Sequence, residues 1–257
     1  MNNLTKFFSV CIALSLSSLT FAAATLTNQE KVSSAFKNIE RSFADADRYE
    51  TIIMDEKFIA SKDVFSPKYF KSTEMLTANF PFKANEKFLE VGCGIGVAAV
   101  IAAKNHHNKV IALDINPVAV KLTTENAAKH GVARLVEARE SNVFSKLADN
   151  EKFDTIFWDL PYVYTESNQE KDLTLLQRSV SDPGYRHIEM FLAQAPLHLN
   201  ANGRIIVGFG SNGDLERFMA LANKHQYNMN RIYEGFNPYR EGITYQLYLL
   251  TPKTEMA

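Results

Sequence analysis

Three carboxylates stand where apolar runs end in this 257-residue chain. Glu90 lies in Phe88-Leu89-Glu90-Val91, directly before Gly92-Cys93-Gly94-Ile95-Gly96. Asp114 closes Val110-Ile111-Ala112-Leu113, and Asp159 closes Phe157-Trp158 and opens onto Leu160-Pro161-Tyr162. Acids at the carboxyl ends of parallel strands can accept hydrogen bonds from a ligand lying across those ends. Gly92, Gly94 and Gly96 read as a tight turn from strand to helix, because glycine bends sharply and leaves room for a ligand against the backbone. The helix expected over Val97 to Ala103 would point its unpaired N–H groups at whatever covers that turn. Asp114 follows Gly96 by eighteen residues. At that spacing a second strand brings an acid to the ribose of an adenosine-type cofactor.

The elements that must position these groups alternate. A helix is expected over Asn28 to Asp45, with Val32, Phe36, Ile39 and Phe43 on one stripe. Thr51 to Val64 reads as a hairpin about Asp55-Glu56-Lys57, and a short helix precedes the first core strand. Asn116 caps and Pro117 opens a helix that closes at Gly131. Arg134 to Glu140 and Asp154 to Trp158 read as the third and fourth strands. Tyr185 to Leu199 reads as a helix, Asn200 to Gly203 as a turn, Arg204 to Phe209 as a fifth strand and Asp214 to His225 as another helix. Strands near Tyr227 to Tyr233 and Ile243 to Leu250 have only Glu234 to Gly242 between them. That gap is too short for a crossover helix, so the last strand is expected to run antiparallel. The fold class is α/β.

Apolar residues make up 46% and charged residues 22%, the balance of a globular protein. A net charge of −1 does not favour a nucleic-acid partner, which usually calls for a basic face, and leaves room for local basic patches. Residues 1–24 read as a signal peptide: Lys6, an apolar run from Phe7 to Phe21, then Ala22-Ala23-Ala24. Export to the periplasm or the medium is expected, with no stable membrane association once the leader is removed. The alternative is a buried N-terminal helix on a cytoplasmic protein. Beyond the leader Cys93 is the lone cysteine, so no internal disulfide can form, and its place between turn glycines suits a compact filler. The six histidines, at 106, 107, 130, 187, 198 and 225, lack metal-ligand spacing and read as surface residues. No metal is expected. Residues 25–80 are taken as an N-terminal helix and hairpin segment, and 81–257 as the main domain.

The spacing Glu90-x-Gly92-x-Gly94-x-Gly96 resembles the first motif of class I S-adenosylmethionine-dependent methyltransferases. The resemblance implies a single Rossmann-like sheet of seven strands with helices on both faces. It further implies that an acid at Glu90 holds the methionine end of the cofactor. Gly92, Cys93, Gly94, Gly96, Asp114, Ile115 and Asp159 would complete its site. Asn142 stands where the family has an acid for the adenine amino group. Asp159-Leu160-Pro161-Tyr162 resembles the Asn/Asp-Pro-Pro-Tyr motif of enzymes that methylate amino or amide nitrogens, with Leu160 in place of the first proline. By that resemblance Asp159 and the Leu160 carbonyl accept hydrogen bonds from the target NH2, and Tyr162 packs on it. Val64 to Pro67 and Ser72-Thr73-Glu74 resemble the corresponding segment of release-factor glutamine methyltransferases, whose longer N-terminal helical domain is missing. The expected activity is methyl transfer to a nitrogen of a small molecule or a protein side chain. Two alternatives stay open: an S-adenosylmethionine-binding protein without catalysis, and an NAD-dependent oxidoreductase, since Gly94-x-Gly96-x-x-Ala99 also fits a loose dinucleotide fingerprint.

Overall fold

The computed structural model describes residues 26–105, 109–238 and 242–253. The leader expected at 1–24, and His106 and His107, lie outside them. Helix α1 (Asn28–Ser42) leads to a hairpin of β1 (Tyr49–Ile53) and β2 (Glu56–Ala60), then to α2 (Ser72–Ala78). Next come β3 (Lys87–Val91), α3 (Val97–Lys104), β4 (Lys109–Asp114), α4 (Pro117–Lys129), β5 (Val136–Glu140) and β6 (Phe153–Asp159). An insertion then supplies β7 (Val163–Thr165), α5 (Leu175–Arg178) and β8 (Ser181–Pro183). The chain continues with α6 (Arg186–Gln194), β9 (Leu199–Gly210), α7 (Leu215–Lys224), β10 (Tyr227–Phe236) and β11 (Thr244–Pro252).

Seven strands form one sheet in the order β10-β11-β9-β6-β3-β4-β5. All pairs from β9 to β5 are parallel, and β11 runs antiparallel to both β9 and β10. The last strand therefore slots between β9 and the edge strand β10. Chain order reverses between β3 and β6, and a crevice opens at the strand ends where it does.

Period-two alternation divides the core. Phe88, Val110, Ala112 and Phe157 join α3, α4, Leu76 of α2 and Phe58 of the hairpin on one face. Leu89, Val91, Ile111, Leu113 and Trp158 join Phe191 of α6 and Phe218 of α7 on the other. Helix α3 is apolar up to its final Lys104, and seven of its eight residues are buried between the sheet and its neighbours. A satellite cluster of Ala35, Ile39, Val163, Leu176 and Val180 docks α1 onto β7 and α5, over the carboxyl ends of the strands. No helix among the described residues is long and apolar enough to cross a membrane.

The structure departs from several expectations for local reasons. Helix α1 ends at Ser42, and Phe43 is exposed, outside the inward stripe of Ala35, Ile39 and Ser42. The hairpin turns at Met54-Asp55, both at positive φ, one residue earlier than expected. The helix expected to reach Leu199 stops at Gln194 and tightens into a 3-10 turn at Ala195–His198, which contains Pro196. Asn200 to Gly203, read as a turn, lies inside β9 as a register irregularity between Phe153↔Leu199 and Thr155↔Arg204. Three of the described histidines have largely buried side chains rather than lying at the surface. His198 is 8% exposed and packs on Phe144, the His130 side chain, 8% exposed, packs on Phe58, and the His187 side chain, 13% exposed, is held between Asp182 and Arg178.

Candidate active site

A cavity of about 910 Å³ opens at the chain reversal, within the range of small-molecule sites. It brings together Glu90, Gly92, Cys93, Gly94, Asp114, Ile115, Asn142, Asp159, Leu160, Pro161 and Tyr162. Gly96 is the exception and does not line it. With φ +82° it starts α3 in the left-handed region, and a Cβ there would sit 2.8 Å from the Thr123 methyl. Its requirement for glycine comes from the fold. Gly94, at φ +55°, has nothing within 4 Å of the place a Cβ would occupy, so its backbone faces open cavity.

Each acid of the turn is anchored to backbone. Glu90 is 5% exposed, and its Oε2 accepts the Ala99 N–H at 2.8 Å, in the first turn of α3. Asp114 accepts the Gly94 N–H at 2.8 Å through Oδ2 and the Asn116 N–H at 2.9 Å through Oδ1, which ties β4 to the glycine turn. Burial pushes both carboxyls above the usual carboxylate range, and for Glu90 the charges of Asp114 and Asp159 add to it. Cys93 is the expected filler: its thiol is 5% exposed, lies 3.3 Å from the Thr123 hydroxyl, and is pushed up by burial. Asn142 sits exposed at the rim, and its backbone N–H donates to Ser145.

The Asp159 segment is shaped by tertiary contacts. The Ser72 hydroxyl, at the start of α2, donates to Asp159 Oδ2 at 2.9 Å. Oδ1 is buried and has no hydrogen-bond partner. Burial pushes the Asp159 carboxyl up to about 7, against the lowering effect of Ser72. Leu160 lacks the fixed φ of the proline it replaces, but its N–H donates to the Gly208 carbonyl at 3.1 Å and its carbonyl accepts the Tyr162 N–H at 2.9 Å. Those two bonds and the burial of the Leu160 side chain hold the bend around Pro161.

Several supporting residues escaped the sequence reading. Gly208 leaves space for the acid: a Cβ there would meet Asp159 Oδ1 at 2.9 Å and Leu76 at 2.5 Å. Gly210 does the same for the Tyr162 ring, at 2.7 Å. Glycine inside a strand is the available signal for such close approach. The Tyr185 hydroxyl, fully buried, donates to the Tyr162 carbonyl and accepts the Asp214 N–H at 2.9 Å, joining the β6 exit to the β9 exit. Ser34, Lys37, Asn38 and Arg41 of α1, with Arg178 of α5, wall the cavity on the side away from the sheet.

The donor set suits a cation-bearing ligand. Glu90, Asp114 and Asp159 line one cavity, and the charges of Asp114 and Asp159 add to the cost of ionising Glu90, which a sulfonium and an ammonium would relieve and a pyrophosphate would aggravate. The open face of Gly94 leaves room for that ligand, and Asp114 keeps lone pairs for ribose hydroxyls.

The family model of the methyltransferase small domain matches residues 55–227. A Methanocaldococcus jannaschii protein named as an N5-glutamine methyltransferase is 30% identical over 141 residues, covering 53% of this chain and 70% of that protein. A release factor glutamine methyltransferase of Geobacter sulfurreducens is 28% identical over 162 residues, covering 60% of this chain. The chain spans 55% of that relative's length. The crystal structure of a ribosomal protein L11 methylase from Lactobacillus delbrueckii subsp. bulgaricus shares the fold, with a TM-score of 0.51 at 15% identity over 74% of this chain and 81% of that one. The chain belongs to the methyltransferase small domain family and is an S-adenosylmethionine-dependent methyltransferase.

Proposed function

We propose that the methyl acceptor is a carboxamide or amine nitrogen, presented by a protein side chain of the glutamine type. The observation that carries this reading is Asp159, a residue of the cavity wall whose Oδ1 is buried and has no hydrogen-bond partner. An unpaired buried acceptor is costly unless a ligand donor meets it. The Leu160 carbonyl, steadied by its neighbours, offers a second acceptor next to it. Two acceptors on one side suit the two hydrogens of an NH2 group better than the single hydrogen of a hydroxyl. The names of the relatives, which refer to glutamine, point the same way.

In this reading Glu90, Asp114, the Gly94 backbone, Ile115 and Asn142 hold the cofactor. S-Adenosylmethionine supplies a sulfonium-bound methyl group; a C–N bond forms as the C–S bond breaks, and that electron pair returns to sulfur. Asp159 accepts one N–H of the substrate, turns the nitrogen lone pair toward the cofactor pocket and, with its carboxyl near neutrality, takes the proton released. Tyr162 packs beside the acceptor, held by Gly210 and Tyr185. Helices α1 and α5 exclude water from the outer side. The chief contribution of the protein is alignment in a dry pocket.

The test is transfer of labelled methyl from S-adenosylmethionine to N-acetylglutamine N′-methylamide. The expected products are S-adenosylhomocysteine and a side-chain N-methylated amide. Transfer to hydroxyl acceptors alone would overturn the nitrogen assignment. Export is a separate proposal, resting on Lys6, the apolar run and Ala22-Ala23-Ala24. It expects a mature N-terminus near Ala23 to Leu26. A native cytosolic species whose intact mass still includes Met1 to Ala22 would refute it.

A further inference from the structure

Among the described residues, two residues of the cavity wall carry a buried side-chain oxygen without a hydrogen-bond partner: Asp159 (Oδ1) and Asn212 (Oδ1). Their positions are related through β9. Asp159 Oδ1 lies 2.9 Å from where a Cβ on Gly208 would sit, and Asn212 Oδ1 lies 2.8 Å from where one on Gly210 would sit. Those two points are on one face of the strand and about 7 Å apart, the rise of two extended residues. The Tyr162 ring, 2.7 Å from the Gly210 point, adjoins Asn212. Strand β9 flanks β6 on the side away from β3 and β4, which carry Glu90 and Asp114. Asn212 therefore lies on the Asp159 side of the cavity.

The segment carrying Asn212 is fixed before any ligand arrives. The Gly213 N–H donates to the Gly210 carbonyl at 2.8 Å, and the Ser211 N–H donates to the Thr244 carbonyl at 2.9 Å. Lys31 of α1 donates to the Gly213 carbonyl at 3.2 Å, and the Asp214 N–H donates to the Tyr185 hydroxyl. A cavity-lining amide on a backbone held this firmly, with an oxygen that lacks a donor, is placed to read one from a substrate.

We propose that Asn212 is a specificity-determining residue that accepts a second N–H of the methyl acceptor, the backbone N–H of the glutamine whose side-chain nitrogen donates to Asp159. This rests on the glutamine-type reading above. The two nitrogens of a glutamine are five bonds apart, roughly 6 Å when extended, a span that suits oxygens each within 2.9 Å of points two strand residues apart. An aliphatic amine without a second donor would leave Asn212 unpaired and bind more weakly.

The experiment compares two probes, N-acetylglutamine N′-methylamide and the same compound with a methyl replacing hydrogen on the glutamine backbone nitrogen. Both keep the reacting carboxamide. In the wild type the second probe should show a KM roughly tenfold higher, with kcat within about twofold. Asn212→Ala should raise the KM of the first probe by a similar factor and no longer distinguish the two, with affinity for S-adenosylhomocysteine unchanged. Asn212→Asp, which keeps an oxygen in place, should still distinguish them. A merely structural role would weaken both probes alike and preserve their ratio. Equal KM values in the wild type would overturn the inference whether or not the variants fold, and so would an undiminished ratio in Asn212→Ala. In both cases turnover of the probes leaves the glutamine-type reading standing. Absence of turnover with both probes would overturn that reading and the Asn212 assignment with it.

Discussion

Asp159→Ala should lower kcat by about 10²- to 10⁴-fold, the usual contribution of a positioned base, while affinity for S-adenosylmethionine changes little. The residue closes β6 at the chain reversal, with one oxygen held by Ser72 and the other buried without a hydrogen-bond partner. Because burial places its carboxyl at about 7, the wild-type rate should rise with pH through that region as the base ionises. Ser72→Ala removes the bond that lowers this carboxyl, so the midpoint of the rise should move to higher pH. Asp159→Asn separates the two roles of the side chain. It can still accept a hydrogen bond but cannot take a proton, so a surviving rate should be low and flat across the same pH range. An Asp159→Asn enzyme that keeps the wild-type rise would place the titrating base elsewhere.

The same carboxyl predicts a stability effect of definite sign. Its folded value lies above the ordinary 3.8, so the stabilisation from its protonated form is complete below that value and lost as pH rises through about 7. Asp159→Asn carries no charge to bury. It should be more stable than the wild type at pH 8, on the order of 2–4 kcal/mol, with little difference near pH 4. Urea unfolding at the two pH values measures this.

Asp114→Ala should weaken cofactor binding by about 1–3 kcal/mol, or roughly 5- to 150-fold. The carboxylate holds the Gly94 and Asn116 N–H groups and retains lone pairs for the ribose hydroxyls, so its loss removes a ligand contact and loosens the turn. Two glycine variants separate binding from folding. Gly94→Ala projects a methyl into open cavity and should reduce affinity more than stability. Gly96→Ala drives a methyl into Thr123 and should reduce stability first. Titration calorimetry with S-adenosylmethionine and thermal unfolding report the two effects. A folded Asp114→Ala protein with wild-type affinity would remove Asp114 from the cofactor site.

The parts of this protein legible in the sequence are those encoded by neighbours along the chain. Alternation of apolar residues set the parallel strands and helices, Asn116 and Pro117 marked the start of α4, and the short Glu234 to Gly242 gap required an antiparallel last pair. The glycine turn and the three acids were visible because each stands at a strand end, and strand ends in a parallel sheet meet at one crevice. The cavity residues of the glycine turn and the strand ends were thus readable along the chain. The contacts that shape the Asp159 segment were not. Ser72 reaches Asp159 across 87 residues, and Gly208 clears space for that carboxylate from the adjoining strand. The Tyr185 hydroxyl ties Tyr162 to Asp214, and Leu160 keeps its bend through bonds to Gly208 and Tyr162 instead of a proline ring. Nothing in the local pattern of Leu175 to Arg178 or Val163 to Thr165 shows that α1 covers them. Periodicity tells which face of an element is buried, whereas which elements share that burial depends on distant surfaces fitting together, and only the folded chain decides it.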